Sequence, residues 1–155
     1  MDINKVTAVY FVGAGGIGMS ALIRYFLAKG KRVGGYDKTP SDLTEELKKE
    51  GADIHYEDNV ALIGEAFKSP DDTLVVYTPA VPESHTELTY FRAHGFEVMK
   101  RARVLDYLQG SRHQILFRIF IGDHNGGILM DQGQGILGLM IFRHIRRRHQ
   151  DHRFS

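Results

Sequence analysis

The 155-residue chain has no cysteine, which excludes disulfides and thiolate metal sites and fits a reducing cytoplasm. It has no apolar run of the roughly 18 residues that a membrane-spanning helix needs. Its start, Met1-Asp2-Ile3-Asn4-Lys5, lacks a basic stretch ahead of an apolar core, so no signal peptide is expected. Two further shortages are local: no lysine follows Lys100 and no glutamate follows Glu97. Residues 1–110 carry 13 Lys or Arg and 16 Asp or Glu, a net −3. Residues 111–155 carry 7 and 3, a net +4, along with five of the eight histidines. Such a change in usage marks a boundary near Gly110, between a domain of residues 1–110 and an atypical basic tail of residues 111–155.

What is present reads as one globular domain. The apolar share is 43% and the charged share 25%, as in folded soluble domains. From Val6 to Leu108 strand and helix patterns alternate. Val6–Val12, Lys31–Tyr36, Asp53–Tyr56, Thr73–Tyr77 and Phe96–Met99 read as strands. Ile17–Lys29, Asp42–Glu50, Val60–Phe67, Thr86–His94 and Ala102–Leu108 read as helices, with Ser41 as an N-cap and Gly30, Gly51 and Gly95 as terminators. Strands separated by helices imply βαβ units. The expected fold is α/β, a Rossmann-like doubly wound parallel sheet of about five strands, with an irregular C-terminal tail.

The stretch VYFVGAGGIGMSAL (9–22) joins the first strand to the first helix through Gly13-x-Gly15-x-x-Gly18. Gly13 permits a tight turn, Gly15 lets backbone approach a pyrophosphate, and Gly18 lets the helix pack on the sheet. The helix N-terminus adds free N–H groups and about half a positive charge, so the loop is built for a phosphate. A turn kept only for packing is the plainer alternative. Asp37 follows the second strand, where such folds place a carboxylate on ribose hydroxyls; a solvated loop acid is the alternative. Alone, these residues suggest an NAD-binding domain of an oxidoreductase. That reading also needs a catalytic His, Lys or Tyr, and no convincing candidate is present.

The wider string GAGGIGMSAL resembles the first domain of the Mur ligases, which build peptidoglycan precursors. Three collinear stretches agree: GYDKTPSDLTEELKKEGADIHYED (35–58), TLVVYTPAVPESHTEL (73–88) and FEVMKRARVLDYL (96–108). They are similar to the family's "T..L...GA.I", "vv.S.Ai...npE" and "ipv..R...L..l" patterns. The match points to members that join L-alanine to UDP-N-acetylmuramic acid, with those that attach a recycled tripeptide as the alternative. The resemblance implies that the domain binds the UDP part of UDP-N-acetylmuramic acid. It assigns Gly13, Ala14, Gly15, Gly16, Ile17, Gly18, Met19 and Ser20 to the diphosphate and Asp37 to the uridine side. Thr78, Pro79 and Ala80 would line the same crevice. Arg101 matches the arginine at the fifth-strand exit, where it faces either the anionic ligand or solvent. Tyr56-Glu57-Asp58 depart from the Gly-His pair frequent in the family, so no role is carried onto them.

Family enzymes use ATP and Mg²⁺ to form an acyl phosphate, through a P-loop of the form G-T-H-G-K-T. IGDHNGGIL (121–129) has glycines but no Gly-Lys-Thr/Ser, so no catalytic residue and no cofactor of its own is expected for this chain. The tail carries no motif that points to a family. Ile136–Ile145 could form an amphipathic helix ending in Arg146-Arg147-Arg148, suited to an acidic partner or membrane surface. The favoured expectation is instead a truncated or frame-shifted gene product, a fragment of the ligase. His144, His149 and His152 lack neighbouring carboxylates or cysteines and imply no metal site. The arginines lack the aromatic interleaving of a nucleic-acid binder.

Overall fold

The computed structural model describes residues 2–110. The tail features discussed above, including Ile136–Ile145 and its histidines, lie outside the described residues. Strand β1, Ala8–Val12, is an unbroken apolar run (AVYFV) with every residue buried, as a strand covered on both faces must be. β4, Thr73–Tyr77 (TLVVY), has the same character. β2 (Arg32–Tyr36), β3 (Asp53–His55) and β5 (Glu97–Lys100) complete a five-stranded sheet in the order β3-β2-β1-β4-β5. Every pairing is parallel, with Val9 opposite Val33 on one side and Leu74 on the other. The expected doubly wound α/β sheet of five strands is therefore the fold.

Alternation along the strands divides the core into two layers. Val9, Phe11, Val33, Leu74 and Val76 face helices α1 (Ile17–Ala28), α2 (Asp42–Lys49) and α4 (Arg101–Gly110), meeting Leu22, Phe26, Leu47 and Val104. Tyr10, Val12, Val75 and Tyr77 face α3 (Thr86–Ala93), meeting Leu88 and Phe91. Fully burying one such side chain stabilises the fold by about 1.5–3 kcal/mol relative to leaving it exposed. Ser41 caps α2 as expected: its hydroxyl accepts the Thr44 amide, and the Thr44 hydroxyl accepts the Ser41 amide in return. Arg24 ties α1 to α2 through Glu46 and Glu50.

One element departs from the sequence reading. Val60–Phe67 is not an α-helix but two short 3₁₀ turns, Val60–Leu62 and Glu65–Phe67. Ile63 and Gly64 between them are extended, with ψ of 117° and 149°. The spacing of Val60, Ile63 and Phe67 mimics a helical face. In fact the chain runs extended at Ile63, so that Ile63 and Phe67 both enter the core under α3. Phe67 fills the space a Cβ at Gly34 would need, lying 2.6 Å from it.

Candidate functional site

The strand order places the switch point between β1 and β4: the chain leaves β1 toward β2 and later returns on β1's other side. Connections diverge there, leaving a crevice beyond the carboxyl ends of the strands. A cavity of about 570 Å³ opens at that place, and both layers contribute to its walls.

One end is built by the glycine loop. Gly13 adopts φ +91°, and its amide and that of Ala14 donate to the Tyr36 carbonyl at 2.8 and 2.9 Å, clamping the loop over the end of β2. The Gly15 amide donates to Asp37 Oδ2 at 2.6 Å, while Asp37 Oδ1 accepts the Thr39 amide at 3.0 Å. A Cβ at Gly15 would lie 2.8 Å from Asp37 Oδ2, so this glycine makes room for the Asp37 carboxylate. Gly16 is the N-cap of α1 and brings no side chain; the first turn holds no acidic residue. The amides of Gly16, Ile17 and Gly18 have no acceptor among the described residues. These are the orphan donors of a helix N-terminus, and they favour an anion.

Arg101 reaches this end from the start of α4. A Cβ at Gly18 would lie 2.5 Å from its Nη1, so the third glycine makes room for a guanidinium rather than for the sheet. The Arg101 Nε is buried without a hydrogen-bond partner, and no carboxylate among the described residues pairs with the side chain. A buried cationic donor in that state is costly until an anion reaches it.

The cavity is also lined by polar and aromatic side chains, Tyr36, Lys38, Asp58, Ser84 and His85. Asp58 accepts the Thr86 and Glu87 amides at 2.9 and 3.1 Å, capping α3. Partial burial pushes its carboxyl up, but those two amides and the neighbouring His85 outweigh that and hold it below the usual range. His85 is 5% exposed, its ring centroid 4.5 Å from that of Tyr36. Behind this wall the fully buried Glu87 accepts the Tyr10 hydroxyl at 2.7 Å and the Asn59 amide at 3.1 Å, and pairs with His55 Nε2 at 2.6 Å. Burial first, then the Glu87 charge, pushes the Tyr10 phenol up, so it remains a donor.

Of the residues expected at the site, Gly13, Gly16, Met19, Asp37, Thr78 and Ala80 line the cavity. Gly15 and Gly18 shape it indirectly, through Asp37 and Arg101. Ala14 is fully buried, Ile17 is 81% exposed, and the Ser20 hydroxyl is turned back onto the Ile17 carbonyl at 2.7 Å. Pro79 follows Thr78 in the same loop without lining the cavity. The sequence motifs assign no role to Tyr36, Asp58 or His85; their signal is position, at the carboxyl ends of β2 and β3 and before α3. No group of three or more His, Asp or Glu among the described residues could hold a metal, and no described helix is long and apolar enough to cross a membrane.

Known proteins resemble this chain in sequence and fold. The profile described as "Mur ligase family, catalytic domain" matches residues 8–112. The UDP-N-acetylmuramate–L-alanine ligase of Phocaeicola vulgatus is 66% identical over 108 residues, covering 70% of this chain and 24% of the relative. That of Cytophaga hutchinsonii is 50% identical over 108 residues, covering 70% and 23%. The crystal structure of the UDP-N-acetylmuramate–alanine ligase of Thermotoga maritima superposes with a TM-score of 0.59 at 29% identity, covering 68% of this chain and 23% of that one. A murein peptide ligase of Psychrobacter arcticus shares the fold, with a TM-score of 0.56 at 20% identity over 70% of this chain and 21% of its own. The chain thus spans about a quarter of the length of the curated relatives it matches. With a family profile covering most of its length and a parallel sheet that superposes on a solved member, the chain belongs to the Mur ligase family.

Proposed function

We propose that residues 1–110 bind the UDP part of UDP-N-acetylmuramic acid, as the nucleotide-sugar domain of a UDP-N-acetylmuramate–L-alanine ligase acting in cytoplasmic peptidoglycan precursor synthesis. The chain would be a fragment of that enzyme. One observation carries the reading: Gly16, at the start of a helix whose first amides have no acceptor among the described residues, and Arg101, whose Nε is buried without a partner, line one cavity. Both are suited to a diphosphate, the amides as oriented dipoles and the guanidinium as a charged fork. Asp37 lines the cavity beside the loop, with lone pairs left for ribose hydroxyls after its two amide bonds. Thr78 and Ala80 line the same cavity, with Pro79 between them in the loop. The names of the relatives at 66% and 50% identity favour L-alanine over a recycled tripeptide as the partner substrate.

ATP and Mg²⁺ supply the acyl phosphate in the full-length family enzymes. The described residues offer no metal-ligand cluster and the sequence no Gly-Lys-Thr/Ser, so the described residues do not fit that pair. This chain's part is to hold and orient the nucleotide sugar. Isothermal titration with UDP-N-acetylmuramic acid, UDP and NAD tests the reading. Binding of the two uridine nucleotides ahead of NAD is expected; tighter binding of NAD would replace this function with the oxidoreductase one.

A further inference from the structure

The His85 side chain is 5% exposed, lines the cavity, and its Nε2 is buried without a hydrogen-bond partner. Its other nitrogen is committed: Nδ1 accepts the Leu88 amide at 3.4 Å, capping α3. An accepting Nδ1 puts the proton of a neutral imidazole on Nε2, and an imidazolium carries one there too. Either way a buried N–H points to an acceptor that the protein does not supply, which native structures rarely leave unanswered.

Beside it stands an acceptor of opposite kind. Asp58 Oδ1 lies 3.4 Å from His85 Nδ1, and the Asp58 carboxylate, with roughly four lone-pair positions, accepts the Thr86 and Glu87 amides and the Thr86 hydroxyl, which leaves one position open. The Tyr36 ring flanks the pair. Both line the same cavity as Gly16 and Arg101.

We propose that His85 and Asp58 read the edge of the base, His85 Nε2 donating to a carbonyl oxygen of uracil and Asp58 accepting its N3–H. This rests on the UDP reading above and adds to it a means of choosing the base. Uracil presents an N3–H donor beside a C4 carbonyl acceptor. Cytosine presents a bare N3 acceptor beside an amino donor, which sets like against like at both protein groups. A site that hydrogen-bonds one pattern rejects the other through its own unpaired polar groups.

The test is isothermal titration of the full chain with UDP, CDP and inorganic pyrophosphate, on the unaltered protein, His85→Asn and Asp58→Asn. Asparagine keeps an N-cap acceptor for the Leu88 amide, so α3 survives, but it cannot place a donor where Nε2 lies. The unaltered chain should prefer UDP to CDP by about tenfold or more. His85→Asn should bind UDP about tenfold more weakly, with the preference narrowed and pyrophosphate affinity unchanged. Asp58→Asn should narrow the preference as well. Equal UDP affinity and an equal UDP-to-CDP ratio in His85→Asn overturn the inference while leaving the UDP reading intact. A parallel loss of pyrophosphate binding overturns it too, by moving His85 off the base. An unaltered chain that binds neither nucleotide overturns the UDP reading and this inference with it.

Discussion

Gly18 and Arg101 share one space: a Cβ on Gly18 would lie 2.5 Å from the Arg101 Nη1. The glycine motif and the fifth-strand exit are therefore one device, in which the helix start is kept bare so that a guanidinium can lie against it. Gly18→Ala should push Arg101 out of the cavity and weaken UDP binding about tenfold or more, as should Arg101→Ala. Since both changes remove the same interaction, the double variant should bind no worse than Arg101→Ala alone. Additive losses in the titration would show that the two residues act separately.

Asp37 holds the loop from the other side through the Gly15 and Thr39 amides. Asp37→Ala leaves the Gly15 N–H without its acceptor and should destabilise the domain by about 1–3 kcal/mol, read from the urea midpoint. Asp37→Asn keeps an acceptor and should cost less. Gly15→Val should cost at least as much as Asp37→Ala, because its side chain displaces the carboxylate.

The pH dependence follows from Asp58. Its carboxyl is held below the ordinary value of 3.8 in the folded protein, chiefly against the opposing effect of burial, by the α3 amides and His85. A depressed folded-state value gives stability that is fully present above the unfolded value and is lost as pH falls through the folded one. Thermal melts of the unaltered chain and Asp58→Asn should therefore differ most above about pH 5 and converge toward pH 3. A gap that widens on acidification would contradict the assignment.

Residues 1–110 expressed alone should keep both fold and nucleotide affinity. The described residues form a five-stranded sheet with a core layer on each face and line the cavity, and the charged-residue usage changes just beyond them. Equal melting temperature and UDP affinity for the piece and the full chain would support the boundary at Gly110; unfolding of the piece would move it.

The sequence carried the fold wherever one physical cause dominated. β1 and β4 are legible because a strand buried on both faces needs a continuous apolar run, and α2 because Ser41 caps it. Val60–Phe67 was misread because apolar spacing alone cannot tell a helix from an extended turn that inserts Ile63 and Phe67 in succession. At the site the glycine loop was visible from its spacing, yet the reasons for two of its glycines were not. Asp37 and Arg101 fill the space at Gly15 and Gly18 only after the sheet has assembled. His85 escaped notice because a lone histidine before a helix reads as a cap. That role is correct and accounts for only one of its nitrogens.

The central claim is that the loop at the start of α1 holds the diphosphate of a uridine nucleotide. The most direct measurement is the amide ¹H–¹⁵N spectrum of the full chain, titrated with UDP and separately with uridine. UDP should shift the Gly16, Ile17 and Gly18 resonances, and uridine should leave them in place while moving Asp58 and His85. Saturable UDP binding with those three amides unperturbed, or no UDP binding at all, would contradict the account.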